Sequence, residues 1–122
     1  MKSSLLLIVL FFSSFFIHSQ DILDLRAIAD NYYKKGNYTE AAKKYQDLTK
    51  LDEGIAGDFY NAACSWALAG NTDKALEWLD AAFQNGFTDL NNVLNDRDLI
   101  SIKNTKPFEQ FIKRERLYKK KV

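Results

Sequence analysis

The chain has 122 residues, a length that allows one small domain and excludes a multidomain enzyme. It carries 17 Lys and Arg against 16 Asp and Glu, so it has no overall field that would attract nucleic acid or an anionic surface. With 47% apolar and 27% charged residues, the composition is typical of a folded globular chain and not of a disordered one.

The first 19 residues have the pattern of a secretory signal peptide. Lys2 gives a positive start, residues 5–17 are apolar apart from two serines, and Ser19 is a small residue at the expected cleavage point. We expect cleavage after Ser19, which leaves Gln20 as the first residue of a protein exported to the periplasm or secreted. The alternative is an uncleaved leader that anchors the chain, although its 13-residue run is shorter than the roughly 20 residues of a spanning helix.

Cleavage would also remove the sole histidine, His18. Residues 20–122 then contain no imidazole, which excludes Ser-His-Asp and Cys-His catalysis and every histidine-containing zinc site. Cys64 is the sole cysteine and has no partner for an internal disulfide. Neither a phosphate-binding glycine loop nor a calcium-binding loop pattern occurs in the sequence. We therefore expect no enzymatic activity, no catalytic residues, no metal and no cofactor.

The first predicted helix pair covers about residues 22–55. Apolar residues recur at helical spacing from Ile22 to Tyr32, which predicts a helix with one buried face. Gly36 follows two lysines and predicts a helix end with a positive φ. Asn37 is then the expected N-cap of the second helix, with Glu40 completing a capping box.

A second helix pair, at about residues 56–87, repeats the first with a period of 34 residues. Small residues align with small ones and bulky residues with bulky ones. Positions where the helices approach closely and positions where side chains fill the core therefore recur in both pairs. The positions that define the repeat are Tyr32 and Trp66, Gly36 and Gly70, Ala41 and Ala75, and Tyr45 and Leu79. The period predicts an all-α fold, an α-solenoid of two antiparallel helix–turn–helix repeats.

The pattern of residues 88–118 predicts a C-terminal helical cap. A short stack needs such a cap because each repeat buries only one face. Asp89 stands at the start of a short helix, and Asn95 with Asp98 is expected to cap a second one. Pro107 occupies the first turn of a final amphipathic helix.

Charge is divided unevenly along the chain. Residues 21–102 contain 14 acidic and 8 basic residues, whereas residues 103–122 contain 8 basic and 2 acidic residues. We interpret the basic tail, residues 113–122, as a solvated helix end whose cations suit the helix dipole. The alternative is a docking site for an anionic partner. Nucleic acid is not expected, because aromatic platforms for bases are missing from the tail apart from Tyr118.

The 34-residue unit of helix, glycine turn and helix resembles the tetratricopeptide repeat (TPR) family, and the chain is similar to its short exported bacterial members. The resemblance implies a stack whose concave face, built from the first helix of each pair, binds a protein or peptide. It implies that this groove contains Arg26, Asp30 and Tyr33 from the first repeat and Tyr60 and Asn61 from the second.

The best-known site of that family is a clamp for C-terminal carboxylates, made of basic residues and asparagines. Arg26 and Asn61 fall on clamp-like positions, but Asp30 stands where an asparagine is required and would repel a carboxylate. We therefore expect an exported, non-enzymatic interaction module that binds a different peptide segment or an envelope protein. The alternative is a structural subunit of an envelope complex that self-associates into homo-oligomers. Membrane contact is expected only transiently, through the leader.

Overall fold

A computed structural model describes residues 21–51 and 55–122 of the chain. The predicted signal peptide and its cleavage site lie outside the described residues. Across the two described ranges, no helix combines the length and the apolar character needed to cross a membrane. The described helices are residues 21–34 (α1), Tyr38–Thr49 (α2), Ala56–Leu68 (α3), Thr72–Gln84 (α4), Leu90–Asn95 (α5), Ile100–Lys103 (α6) and Lys106–Lys121 (α7), with a 3-10 turn at Arg97–Leu99.

The helices form two helix–turn–helix pairs, α1–α2 and α3–α4, followed by the cap of α5, the 3-10 turn, α6 and α7. Helices that are neighbours in sequence pack against each other: α2 lies on α3, and α3 lies on α4. This arrangement confirms the predicted all-α class and the helical-solenoid architecture with two repeats and a cap.

Equivalent glycine turns join the helices of both pairs. Gly36 has φ 77° and Gly70 has φ 80°, values that favour glycine because a Cβ would crowd its own backbone at such angles. The residue after each glycine donates its N–H to the carbonyl of Tyr32 or of Trp66, in both cases at 2.9 Å. These bonds satisfy carbonyls at the helix ends. The prediction of a positive φ at Gly36 is therefore confirmed.

The predicted capping box of α2 does not form. Asn37 is the N-cap residue, but its side chain makes no capping hydrogen bond. The Glu40 carboxylate accepts instead from Lys43 Nζ at 2.8 Å, one turn further along the helix. In the second repeat the equivalent residue does cap, since Asn71 Oδ1 accepts from the N–H of Lys74 at 3.1 Å.

Six of the eight repeat-defining residues lie in or beside two apolar clusters, while Gly36 and Gly70 lie in the exposed turns. The alanines let the helix backbones approach closely, and the tyrosine, tryptophan and leucine fill the remaining space. Five are buried: Ala41, Tyr45, Trp66, Ala75 and Leu79. Tyr32 is half-buried against the first cluster, which joins α1, α2 and α3, while the second cluster joins α3 and α4 to the cap.

The cap closes the second cluster with Leu99, Ile102 and Phe108. Pro107 lies in the first turn of α7, as predicted, and the Asp89 carboxylate caps α5 by accepting from the N–H of Asn92 at 2.9 Å.

The predicted cap at Asn95 is wrong. Asn95 is the last residue of α5, and its amide donates back to the Asn91 carbonyl at 2.9 Å. Asp96 starts the next segment instead, because its Oδ1 accepts from the N–H of Asp98 at 2.9 Å and fixes the 3-10 turn.

Candidate binding cleft

A concave cleft of about 300 Å³ lies where α1, α2 and α3 meet the start of the 3-10 turn. We call it the tyrosine–aspartate cleft. Four of the five residues predicted for a groove are brought together there, namely Asp30, Tyr33, Tyr60 and Asn61. The complete lining is Asp30, Tyr33, Lys34, Tyr45, Tyr60, Asn61, Cys64, Asp96 and Asp98.

Arg26, the fifth predicted residue, does not line the cleft. Its Nε donates to Asp58 Oδ1 at 3.2 Å and its Nη2 donates to Asp58 Oδ2 at 2.8 Å. Asp58 is only 1% exposed, and its Oδ2 also accepts from the N–H of Ile55 at 3.3 Å. The hydrogen bond to Asp58 raises the pKa of Arg26, which stays charged. Arg26 therefore joins α1 to α3 and lies outside the cleft in which the family resemblance placed it.

Three tyrosine hydroxyls of the cleft donate to three carboxylates. Tyr60 donates to Asp96 Oδ2 at 2.7 Å, and Tyr33 donates to Asp98 Oδ2. The third pair is Tyr45 with Asp30 Oδ1, at 2.5 Å. These bonds tie α1 to α2 and tie both α1 and α3 to the 3-10 turn, so the cleft is assembled from all three parts of the fold.

The tyrosines of the cleft are held in their neutral, donating form. Burial raises the pKa of Tyr33, and the hydrogen bond to Asp98 raises it further. Burial likewise raises the pKa of Tyr60, with the neighbouring Cys64 and the bonded Asp96 acting in the same direction.

The cleft carries an excess of negative charge. Asp30, Asp96 and Asp98 line it against one lysine, Lys34. In the described parts of the chain, none of the three carboxylates lies within ion-pair distance of a cation. An ionised carboxyl offers about four lone-pair positions, so Asp30 and Asp98 keep acceptor capacity beyond the tyrosine bond. Asp96 keeps less, because it also accepts from Cys64 Sγ and from the N–H of Asp98. The cleft is thus suited to receive a cationic donor.

Cys64 lies at the back of the cleft, 4% exposed, and its Sγ donates to Asp96 Oδ2 at 3.8 Å. Burial raises the pKa of the thiol, and the charges of Asp96 and Asp98 add to the effect. One ligand atom from each of these three residues lies within 4.8 Å of the others. Thiols bind metals and attack substrates as thiolates. A protonated Cys64 is a poor nucleophile.

An aromatic stack fixes the position of Tyr60. Its ring lies on that of Phe87 with centroids 4.3 Å apart and an interplanar angle of 5°. Phe87 follows the turn that leads out of α4, so the second repeat and the cap jointly orient this wall of the cleft.

Asp96 and Asp98 were not predicted as site residues. Asp96 is 36 residues away in sequence from Tyr60, and Asp98 is 65 residues away from Tyr33. No pattern of fixed spacing links such pairs. The available signal was two carboxylates separated by one residue within the cap, of which Asp98 was assigned only a capping role and Asp96 none.

Comparison with known proteins gives one distant likeness. The chain is 25% identical over 87 residues to a chloroplastic protein of Arabidopsis thaliana. The aligned part covers 67% of this chain and 25% of that protein, so the chain spans about a quarter of its relative's length. No family model and no solved structure matches the chain.

Proposed function

We propose that this chain is a non-enzymatic protein-interaction module of the TPR type, which binds a peptide segment of a partner in the tyrosine–aspartate cleft. The cleft itself is the observation that carries the proposal. It is concave, and α1 and α3, the first helices of the two pairs, both contribute to its walls. A fixed wall of this kind reduces the ordering cost of binding.

The chemistry of the cleft favours a segment with a lysine or arginine side chain. Carboxylates that already accept a tyrosine hydroxyl still have free lone pairs for a cationic N–H donor. The tyrosine rings offer contact area with little loss of rotamer entropy. Asn61 lies in the same lining and supplies an amide that bonds a peptide backbone.

The arrangement of side chains supports binding without chemistry. The thiol of Cys64 is held protonated by burial, and the three carboxylates face tyrosine hydroxyls, which are far weaker acids. A nucleophile needs an adjacent base whose protonation matches the working pH. The cleft instead offers carboxylates and hydroxyls that can form hydrogen bonds with a bound peptide.

Peptide binding to the purified protein tests the proposal. Peptides with a central lysine are compared with the same peptides carrying norleucine, which keeps the length and loses the charge. Asp30→Asn and Asp98→Asn retain an oxygen for the tyrosine hydroxyl and remove the charge. We expect each to weaken binding about 10-fold, through the loss of a desolvated charge pair.

Asp73→Asn is the matched control for this experiment. Asp73 is an exposed carboxylate in the first turn of α4 and does not line the cleft. We expect it to leave the affinity unchanged. Equal binding of lysine and norleucine peptides, or an equal loss in all three variants, would contradict the proposal.

The proposal includes export of the mature chain. The leader pattern of residues 1–19 supports it. Mass spectrometry of the protein from its native envelope or culture medium should find an N-terminus at Gln20. A peptide that begins at residue 1 and remains with the membrane fraction would support the anchored alternative.

Self-association is the second candidate function. It is favoured by exposed apolar side chains at the end of α7, where Tyr118 is 67% exposed and Val122 is 93% exposed. Sedimentation velocity over a range of protein concentrations measures whether the protein self-associates. A single monomeric species at the highest concentration excludes this candidate and leaves the peptide-binding proposal intact.

A further inference from the structure

A second concave surface, separate from the tyrosine–aspartate cleft, runs along α7. This α7 groove has a volume of about 520 Å³ and lies between α7 on one side and α5 and α6 on the other. Leu94, Phe108 and Ile112 contribute apolar surface to it. No residue lines both the groove and the cleft.

One wall of the groove is a basic stripe. Lys113, Arg116 and Lys120 are spaced three and four residues apart, which places them on one face of α7. All three line the groove, and Lys113 and Lys120 are exposed along it. Leu117 continues the same stripe and is 51% exposed. Cations and an apolar side chain are therefore presented together.

The three cations of the stripe are uncommitted within the described chain. Other basic residues nearby already have partners: Arg114 pairs with Asp80 and with Glu115, and Lys103 Nζ donates to the Leu94 carbonyl at 2.8 Å. By contrast, the side chains of Lys113, Arg116 and Lys120 make neither an ion pair nor a hydrogen bond with the described residues. Glu109 is the one acidic residue in the lining of the groove.

We propose that the α7 groove is a docking site for an acidic amphipathic segment of a partner protein. Three free cations along one wall complement a row of Asp or Glu side chains, and the apolar surface complements a hydrophobic face. A concave surface with apolar groups at its base suits an inserted helix or strand. A flat anionic bilayer would contact the exposed cations but would not reach the apolar groups at the base, where Phe108 is 4% and Ile112 is 7% exposed.

The proposal also gives the basic end of the chain a role beyond solvation. Helix-dipole stabilisation requires cations only in the last turn. Lys113 and Arg116 lie well before the last turn of α7, which ends at Lys121. A dipole effect therefore does not account for their position, whereas a continuous binding stripe does.

Fluorescence anisotropy with a labelled synthetic helix tests this site in the full-length mature protein. The probe carries leucines at spacings of three and four residues with glutamates on either side of them. A matched probe has lysines in place of the glutamates. We expect salt-sensitive binding of the acidic probe only.

The test variant combines Lys113→Glu, Arg116→Glu and Lys120→Glu, and it should weaken binding of the acidic probe about 30-fold through like-charge repulsion. The control variant combines Lys35→Glu, Lys43→Glu and Lys50→Glu, which makes the same change in net charge within the first repeat, outside the groove. We expect the control to change affinity less than about 3-fold, since screened charges at a distance contribute little.

A third variant, Leu117→Ser, keeps the charge and reduces apolar contact, so it should weaken binding about 3-fold. Circular dichroism verifies that all three variants fold. Absence of binding by the acidic probe, or an equal loss in the test and control variants, would overturn the proposal.

Two other occupants are distinguished in the same series. Sedimentation with phosphatidylcholine vesicles, with and without phosphatidylserine, detects an anionic membrane. Sedimentation velocity of the protein alone detects a second copy. Stripe-dependent binding to vesicles, or stripe-dependent self-association, without binding of the acidic probe would overturn the assignment to a partner protein.

Discussion

Replacement of Arg26 by methionine tests the packing of α1 on α3. Methionine keeps much of the side-chain length and removes the guanidinium that donates to both oxygens of Asp58. Asp58 is only 1% exposed, so the variant leaves a buried carboxylate without its cation. Loss of one partner of a buried ion pair costs about 3–5 kcal/mol.

The expected loss lies at the lower end of that range. The Arg26 side chain is 29% exposed, so water screens part of the pair's interaction. Asp58 also retains the hydrogen bond from the Ile55 N–H at 3.3 Å. We therefore expect Arg26→Met to lower the free energy of unfolding by about 3 kcal/mol. Asp58→Asn should cost less, about 1–2 kcal/mol, because Arg26 is then free to turn towards solvent.

An exposed ion pair of the same length provides the control. Lys43 Nζ lies 2.8 Å from Glu40 Oε1, as Arg26 Nη2 does from Asp58 Oδ2, but the Lys43 side chain is 55% exposed. Lys43→Met should change the free energy of unfolding by no more than about 0.5 kcal/mol. Urea unfolding followed by far-UV circular dichroism measures all three variants. A cost for Arg26→Met as small as that of Lys43→Met would refute the reasoning.

Three further predictions follow from single sites. Gly36→Ala should lower the free energy of unfolding in urea by about 1–2 kcal/mol. The cost comes from the backbone angle, since φ is 77° and no atom lies within 4 Å of an added Cβ. Gly57→Ala in α3 should cost nothing, and equal costs for the two variants would contradict the role of φ. Cys64, buried with a raised thiol pKa, should react with a thiol reagent at neutral pH far more slowly in the folded protein than in urea; rapid native labelling would contradict this. The pKa values of Tyr33 and Tyr60 are raised on folding above the ordinary value of about 10, so the unfolded chain loses these protons first. Their contribution to stability is therefore present below about pH 10 and is lost as the pH rises further. The urea concentration at the midpoint of unfolding should fall with pH above this value, and Tyr33→Phe should make that fall less steep. An unchanged slope would contradict this.

The groove prediction shows what a repeat pattern can and cannot predict about a binding surface. Asp30, Tyr33, Tyr60 and Asn61 were assigned to one face by the family resemblance, and the structure brings them together in the cleft. The same reasoning failed for Arg26. Its position on the helix follows from periodicity, but the direction of its guanidinium is set by Asp58, which comes from the next helix pair.

The sequence by itself determined the helices, the glycine turns and the residues that face the core. These features depend on local chemistry: apolar spacing matched to 3.6 residues per turn, and a backbone angle at Gly36 that favours glycine. Only the tertiary structure decided the chemistry of the cleft. The Asp96 and Asp98 carboxylates reach Tyr60 and Tyr33 because the cap folds back over α3, and contacts across 36 and 65 residues leave no periodic trace in the chain.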